Sequence, residues 1–138
     1  MTENTNNYFG LPDEFCSPET AKVAIVPVPY EATTSYGKGT KKGPQAILEA
    51  SQQVELFDDE LWTEPFKIGI QTVSSVQMKA VTVETEKPFQ ELRDVISPLI
   101  EFGKFPLVVG GEHSLSLGSV AACADRYPDP LCDRYKRL

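Results

Sequence analysis

Short apolar runs alternate along the chain with longer stretches in which apolar residues recur every three or four positions. The runs at 23–26 and 105–109 are apolar throughout, which is typical of strands buried on both faces. A further strand is predicted over 66–70. Pro27 and Pro29 follow the first run, and we expect them to end that strand because proline cannot donate to a sheet ladder.

The longer stretches predict helices. One begins at Pro44, since proline is tolerated in the first helical turn. A second is predicted over 88–102, where Pro98 should kink the helix or move its boundary and Gly103 should form the C-terminal cap. A third covers 115–124. The core-facing stripe of the first helix is predicted from residues at helical spacing: Ile47, Ala50, Val54 and Phe57.

Alternation of apolar strands with helices predicts an α/β fold, a mostly parallel sheet with helices on both faces. Polar residues 1–20 are interpreted as an N-terminal arm, and 21–129 as one α/β unit. Three strands make a small sheet, so this unit is interpreted as the front portion of a larger domain. Residues 130–138 form an aberrant, charged tail.

Composition narrows the functional classes. A net charge of −7 argues against binding to duplex nucleic acid or to an anionic membrane surface. Cys16, Cys123 and Cys132 show no CxxC spacing, which argues against a disulfide framework or a thiolate zinc site. The first residues lack the basic start and apolar segment of a signal peptide, and no apolar run could span a bilayer. We therefore expect a cytoplasmic protein.

The candidate chemistry lies in Gly110-Gly111-Glu112-His113-Ser114, which contains the only histidine and follows the strand over 105–109. The end of a buried strand is a common place for functional groups in α/β proteins. Paired glycines let the backbone turn and approach another group closely. His113 is a candidate metal ligand, and Ser114 could cap the following helix. Glu112 could orient the imidazole, ligate a metal or lie in solvent.

A second segment, residues 37–43, is rich in glycine and lysine. Its glycine spacing fits neither a dinucleotide fingerprint nor a phosphate loop, because the last glycine comes too late and no Gly-Lys-Ser/Thr closes it. The segment is interpreted as a flexible loop of an active site rather than as a nucleotide-binding loop.

Two motifs together resemble those of the ureohydrolases, the arginase and agmatinase family, and most closely those of agmatinases. Residues 28–47 read Val-Pro-Tyr-Glu-Ala-Thr-Thr-Ser-Tyr-Gly-Lys-Gly-Thr-Lys-Lys-Gly-Pro-Gln-Ala-Ile, similar to the loop before the family's Gly-Pro-x-Ala-Ile helix. Residues 105–114 are similar to its first metal motif. The resemblance implies a three-layer α/β/α fold, a homo-oligomer and a dinuclear Mn²⁺ site to which His113 contributes one ligand.

The resemblance also implies a reaction. Two metal ions lower the pKa of a bridging water, and the resulting hydroxide attacks the guanidinium carbon of a small substrate. With agmatine the products are putrescine and urea. Arginase, guanidinobutyrase and formimidoylglutamase specificities stay open, because the residues that choose the substrate's tail lie largely outside the matched motifs.

The chain departs from the family after Asp129. The family continues with a buried strand and an Asp-x-His-x-Asp motif, and Asp125, Asp129 and Asp133 match neither that motif nor the later Asp-x-Asp. With suitable codons, a one-nucleotide shift over 130–137 yields Leu-Cys-Val-Ile-Asp-Ile-Asn-Ala, a buried-strand pattern. A frameshift near Asp129 is therefore our hypothesis.

Since the remaining ligands are missing from this sequence, we expect the chain by itself to be inactive. The alternative role is a non-catalytic module that associates with an intact homologue through an unpaired sheet edge.

Overall fold

A three-stranded parallel sheet lies at the centre of the computed structural model, which describes residues 7–81 and 89–127. Its strands are β1 (Val23–Val28), β2 (Ile70–Thr72) and β3 (Phe105–Gly110), in the order β2-β1-β3. The parallel pairing and the alternation with helices confirm the predicted α/β class. The predicted tail lies outside the described residues.

Helices cover both faces of the sheet. On one face, α3 (Gln90–Glu101) and α4 (Ser116–Arg126) pack over Ala24, Val26 and Val28 of β1. The opposite face is covered by α2 (Gly43–Ser51), by the short α1 (Asp13–Cys16) and by the segment before it. Single 3₁₀ turns complete the described elements: Tyr8–Gly10, Thr40–Lys42, Pro65–Ile68 and His113–Leu115. None of the described helices is long and apolar enough to cross a membrane.

β1 continues through Pro27, contrary to the prediction that Pro27 ends it. The backbone N–H and C=O groups of the even-numbered residues of β1 point towards β3. The Gly111 N–H, for example, donates to the Val28 carbonyl. Pro27 faces the opposite neighbour, beyond the end of β2, where its carbonyl accepts the Val76 N–H at 2.9 Å. The missing proline N–H therefore interrupts no bond of the β1–β3 ladder.

The predicted strand over 66–70 is wrong for most of its length. Pro65–Ile68 form a 3₁₀ turn, and β2 begins only at Ile70. Between them Gly69 has φ +85, a backbone conformation that favours glycine and breaks an extended run. Gly69 also leaves room for the chain before β1, since a Cβ there would lie 2.8 Å from the Ala21 Cα.

The core-facing stripe predicted for the first helix is also wrong. α2 ends at Ser51, and all four predicted stripe residues are exposed. The buried positions form a neighbouring stripe at spacings of four and three: Pro44, Leu48 and Ser51. The N-terminal segment selects this face, because Leu11 packs in one cluster with Leu48 and the Phe9 N–H donates to Ser51 Oγ at 2.9 Å.

Helix α3 passes through Pro98 and ends near the predicted boundary. Pro98 lies inside the helix, so it does not end it. The Gly103 cap is confirmed, since Gly103 has φ +72 and the Lys104 N–H donates to the Leu99 carbonyl at 2.9 Å. The predicted strand over 105–109 is confirmed by β3, and α4 confirms the following helix with a start one residue later.

The contact between α3 and α4 depends on a small residue. Gly118 on α4 is buried, and a Cβ at this position would lie 2.7 Å from the Phe89 Cβ and 3.2 Å from the Phe89 carbonyl oxygen. Because part of this neighbour is backbone, it cannot move aside cheaply. The two helices can lie this close over the sheet only because Gly118 has no side chain.

We predict that Gly118→Ala destabilises the chain by about 1–2 kcal/mol, because overpacking outweighs the better helix propensity of alanine. The free energy of unfolding is measured by urea denaturation. Ser116→Ala, at an exposed position of the same helix, is the control and should stay within about 0.5 kcal/mol of wild type. A Gly118→Ala variant as stable as wild type would contradict this packing.

Candidate metal-ligand cleft

His113 lies where β3 ends, in the 3₁₀ turn that leads into α4. Its side chain is exposed and lines an open cleft of about 520 Å³. The wall beside it consists of β3, the glycine turn and the first turns of α4. Among the described residues the imidazole has no hydrogen-bond partner. It is therefore accessible to a ligand or a metal ion from the cleft.

Gly111 fixes the turn against the end of β1. Its N–H donates to the Val28 carbonyl at 3.1 Å, which continues the β1–β3 ladder by one residue. A Cβ at Gly111 would overlap the Tyr30 carbonyl oxygen, and one at Gly110 would lie 2.5 Å from Leu115 Cδ1. The two glycines thus allow the close approach expected from the sequence: Gly111 lies against Tyr30, just after β1, and Gly110 lies against Leu115, just before α4.

Glu112 lines the same cleft, and its carboxylate is hydrogen-bonded to the loop that follows β1. Its Oε2 accepts the N–H groups of Ala32 at 2.7 Å and Thr33 at 2.9 Å. Its Oε1 accepts the Thr33 hydroxyl at 2.7 Å and the Ser114 hydroxyl. Of the three roles left open for Glu112, this geometry excludes lying free in solvent, because the carboxylate is engaged by four donors of the loop and of the turn. It makes no hydrogen bond to the His113 imidazole.

These hydrogen bonds set the ionisation of Glu112. Burial raises the pKa of its carboxyl group, but the hydrogen bonds from Ser114, Thr33 and Ala32 together lower it from 4.5 to about 2. Each donor stabilises the charged form. Glu112 is therefore an anion at neutral pH and acts as an acceptor.

The expected role of Ser114 as a helix cap is wrong. No side chain caps the 3₁₀ turn or α4, and the Ser114 hydroxyl donates to Glu112 instead. A carboxylate is a stronger acceptor than a neutral group, which favours this partner. The 3₁₀ turn also places Ser114 inside the first helical turn rather than before it.

A second carboxylate, Glu31, organises the loop between β1 and α2, and no sequence motif predicted this role. Glu31 accepts the Gly39 N–H at 2.6 Å, the Thr40 hydroxyl at 3.0 Å and the Lys41 N–H at 3.3 Å. The Gly39 N–H is the main cause of the lowered pKa of Glu31. Residues 37–43, interpreted from the sequence as a flexible loop, are thus held at 39–41 by Glu31, and Glu112 holds residues 32–33 before them.

The described residues do not complete a metal site. They contain no group of three His, Cys, Asp or Glu residues placed to hold a metal ion. Glu112 is occupied by its donors, and Asp125 forms an ion pair with Arg93 on α3. Asp129 and Asp133 lie outside the described residues. Within them His113 stays a single candidate ligand, and one imidazole does not hold a metal pair.

Comparison with known sequences gives consistent matches. A sequence profile of the arginase family matches residues 21–132. The chain is 40% identical to the N(1)-aminopropylagmatine ureohydrolase of Synechocystis sp., over 91% of this chain and 44% of that protein. It is 30% identical to the agmatinase of Bacillus anthracis, over 80% of this chain and 38% of that protein. The chain thus spans less than half the length of these relatives.

Solved structures agree at the level of the fold. The agmatine ureohydrolase of Thermoplasma volcanium superposes with a TM-score of 0.67 at 25% identity, over 85% of this chain and 38% of that one. The proclavaminate amidino hydrolase of Streptomyces clavuligerus gives a TM-score of 0.68 at 22% identity, over 88% of this chain and 40% of that one. The described sheet and helices therefore correspond to part of a larger fold.

We predict that Glu112→Gln lowers the free energy of unfolding by about 1 kcal/mol at pH 7, a small value for bonds to a charge because the carboxylate is partly exposed. A lowered folded-state pKa stabilises the fold above pH 4.5, and this contribution is lost as the pH falls towards 2. The difference between wild type and Glu112→Gln should therefore shrink over that range.

Urea denaturation at a series of pH values measures this difference. Glu101→Gln, at an exposed position at the end of α3, is the matched control and should track wild type. A gap between wild type and Glu112→Gln that is constant from pH 7 to pH 2 would show that the charge of Glu112 contributes nothing.

Proposed function

The chain belongs to the arginase family, whose members use Mn²⁺, and we propose that it is part of a ureohydrolase acting on a guanidino amine related to agmatine. Such an enzyme hydrolyses the guanidinium group and releases urea and an amine. The chain spans less than half the length of its relatives. We therefore propose this activity for a protein that also contains the remaining part of the ureohydrolase fold. A cytoplasmic location and a homo-oligomeric assembly stay predictions from the sequence.

One observation carries this proposal. His113, the only histidine, is exposed to the cleft at the carboxyl end of a parallel strand, where α/β enzymes bind their ligands. Its neighbour Glu112 is used by the loop, so the turn offers the cleft one metal-binding side chain. We propose that His113 ligates one Mn²⁺ ion and that the other ligands lie outside the described residues.

Two related substrates are supported by the relatives. The sequence predicted agmatine, and the relatives include agmatinases; the relative with 40% identity is instead an N(1)-aminopropylagmatine ureohydrolase, a specificity that sequence reasoning missed. Both substrate names denote agmatine or an agmatine derivative. We propose this substrate class. Comparing the two substrates tests whether the enzyme requires the aminopropyl group.

By itself the chain should not hydrolyse these substrates. A single imidazole leaves the metal without the carboxylate and imidazole ligands that a dinuclear site needs. We predict that the purified chain with excess Mn²⁺ releases no urea from agmatine or N(1)-aminopropylagmatine in a colorimetric urea assay. Urea release that depends on both Mn²⁺ and His113 would contradict this expectation.

The proposed function is tested by completing the protein. Residues 1–127 are joined to the part of the Synechocystis relative that follows its matched segment. We expect Mn²⁺-dependent urea release from this chimera, and a loss of at least about 100-fold in kcat/KM on His113→Ala, since removing even a supporting group of a metal ligand costs about 10–100-fold.

Ser116→Ala is the matched control, because Ser116 lines the same cleft and carries no metal-binding group. Circular dichroism and a thermal melt establish that each chimera is folded. A folded His113→Ala chimera with undiminished activity would refute the assignment of His113 as a ligand. A folded parent chimera that releases no urea from either substrate would refute the proposed function.

A further inference from the structure

The two neighbours of His113 in the chain are hydrogen-bonded to each other. Glu112 precedes it, Ser114 follows it, and the Ser114 hydroxyl donates to Glu112 Oε1. The same oxygen accepts the Thr33 hydroxyl at 2.7 Å, and Oε2 accepts two backbone N–H groups of the loop after β1. The backbone on both sides of His113 is therefore joined to a segment about eighty positions earlier in the chain.

The imidazole itself is held by nothing of this kind. It is exposed and has no hydrogen-bond partner in the described part of the chain. Among the described residues, the position of the imidazole is thus constrained by the backbone that carries it. That backbone is fixed on one side by Gly111, which contacts the β1 exit, and on the other by the Glu112 hydrogen bonds.

We propose that Glu112 is a positioning residue: it clamps Ser114 and the Ala32–Thr33 segment so that the turn presents the His113 imidazole to the cleft. Calling His113 a metal ligand rests on the proposed function, whereas the clamp rests on the hydrogen bonds alone. Glu112 is not a ligand in this arrangement. Redirecting its carboxylate to a metal ion would leave four donors without their acceptor.

The clamp also holds the loop that leads to α2. Ala32 and Thr33 are its anchored end, and Glu31 ties the following turn through Gly39, Thr40 and Lys41. Loss of Glu112 should release the loop from the glycine turn, while the Glu31 contacts keep residues 39–41 together. The two carboxylates therefore have separable effects.

The test uses the full chain and two readouts, neither of which needs metal or activity. His113 is the only histidine, so its imidazole gives one assignable set of NMR signals. Lys38 is exposed in the loop between the two segments that the carboxylates hold, so native-state trypsin cleavage after it reports how firmly Glu112 holds the loop. Cleavage after Lys41 and Lys42, beside the Glu31 contacts, should change less. Cleavage after Lys67, in the 3₁₀ turn before β2, is the internal reference.

In Glu112→Gln the shape is kept, but one oxygen becomes an NH₂ group that cannot accept. We expect cleavage after Lys38 to rise about fivefold relative to Lys67, because the hydrogen bonds to a charged acceptor are lost. The imidazole signals should shift and broaden. Thr33→Val, which removes one of the four donors, should give a smaller change in the same direction.

Gly118→Ala is the control for a purely structural effect, because it destabilises the packing of α3 and α4 without touching the clamp. It should leave the His113 signals and the ratio of loop to Lys67 cleavage as in wild type. The proposal is overturned if folded Glu112→Gln keeps wild-type imidazole signals and a cleavage ratio within about twofold, or if Gly118→Ala changes both as much.

The two proposals fail separately. A clamp demonstrated by NMR and proteolysis, with an inactive folded chimera, would remove the ureohydrolase function and keep the positioning role. An active chimera whose loop and imidazole do not respond to Glu112→Gln would do the reverse.

Discussion

The parallel pairing of β1 with β3 is the constraint on which the site depends. It brings the carboxyl ends of both strands to one edge, so that the loop after β1 meets the turn after β3. Val28 pairs with Gly110, and the next residue, Gly111, adds one more hydrogen bond to the ladder. A slip of one residue would turn every side chain to the other face and separate Glu112 from Thr33.

The same sheet leaves one edge of β3 without a neighbour in the described part of the chain. The backbone N–H and C=O groups of the even-numbered residues of β3 point away from β1. No strand among 7–81 and 89–127 pairs with that side of β3. Phe105 and Leu107 on this edge strand are 65% and 42% exposed, an apolar surface that the described residues leave uncovered. An unpaired edge beside a cleft with one candidate ligand agrees with relatives more than twice as long.

The sequence was most informative where a physical rule leaves one solution. Apolar runs predicted β1 and β3, and Gly103 predicted the end of α3. Prediction from the sequence failed where contacts with residues distant in the chain determine the local structure. The stripe of α2 was selected by Leu11 and Phe9, Pro27 was tolerated because of the strand's orientation, and Ser114 was drawn from the helix to Glu112. The role of Glu31 had no sequence signal, because it depends on loop conformation.

We propose that this turn supplies one ligand to a manganese pair that the rest of a ureohydrolase completes. The most direct measurement is the number of Mn²⁺ ions bound per chain in the completed protein, by electron paramagnetic resonance and metal analysis. With His113 we expect a spin-coupled manganese pair, and with His113→Ala we expect loss of that coupling and weaker retention of one ion. An unchanged manganese pair in a folded His113→Ala protein would contradict it.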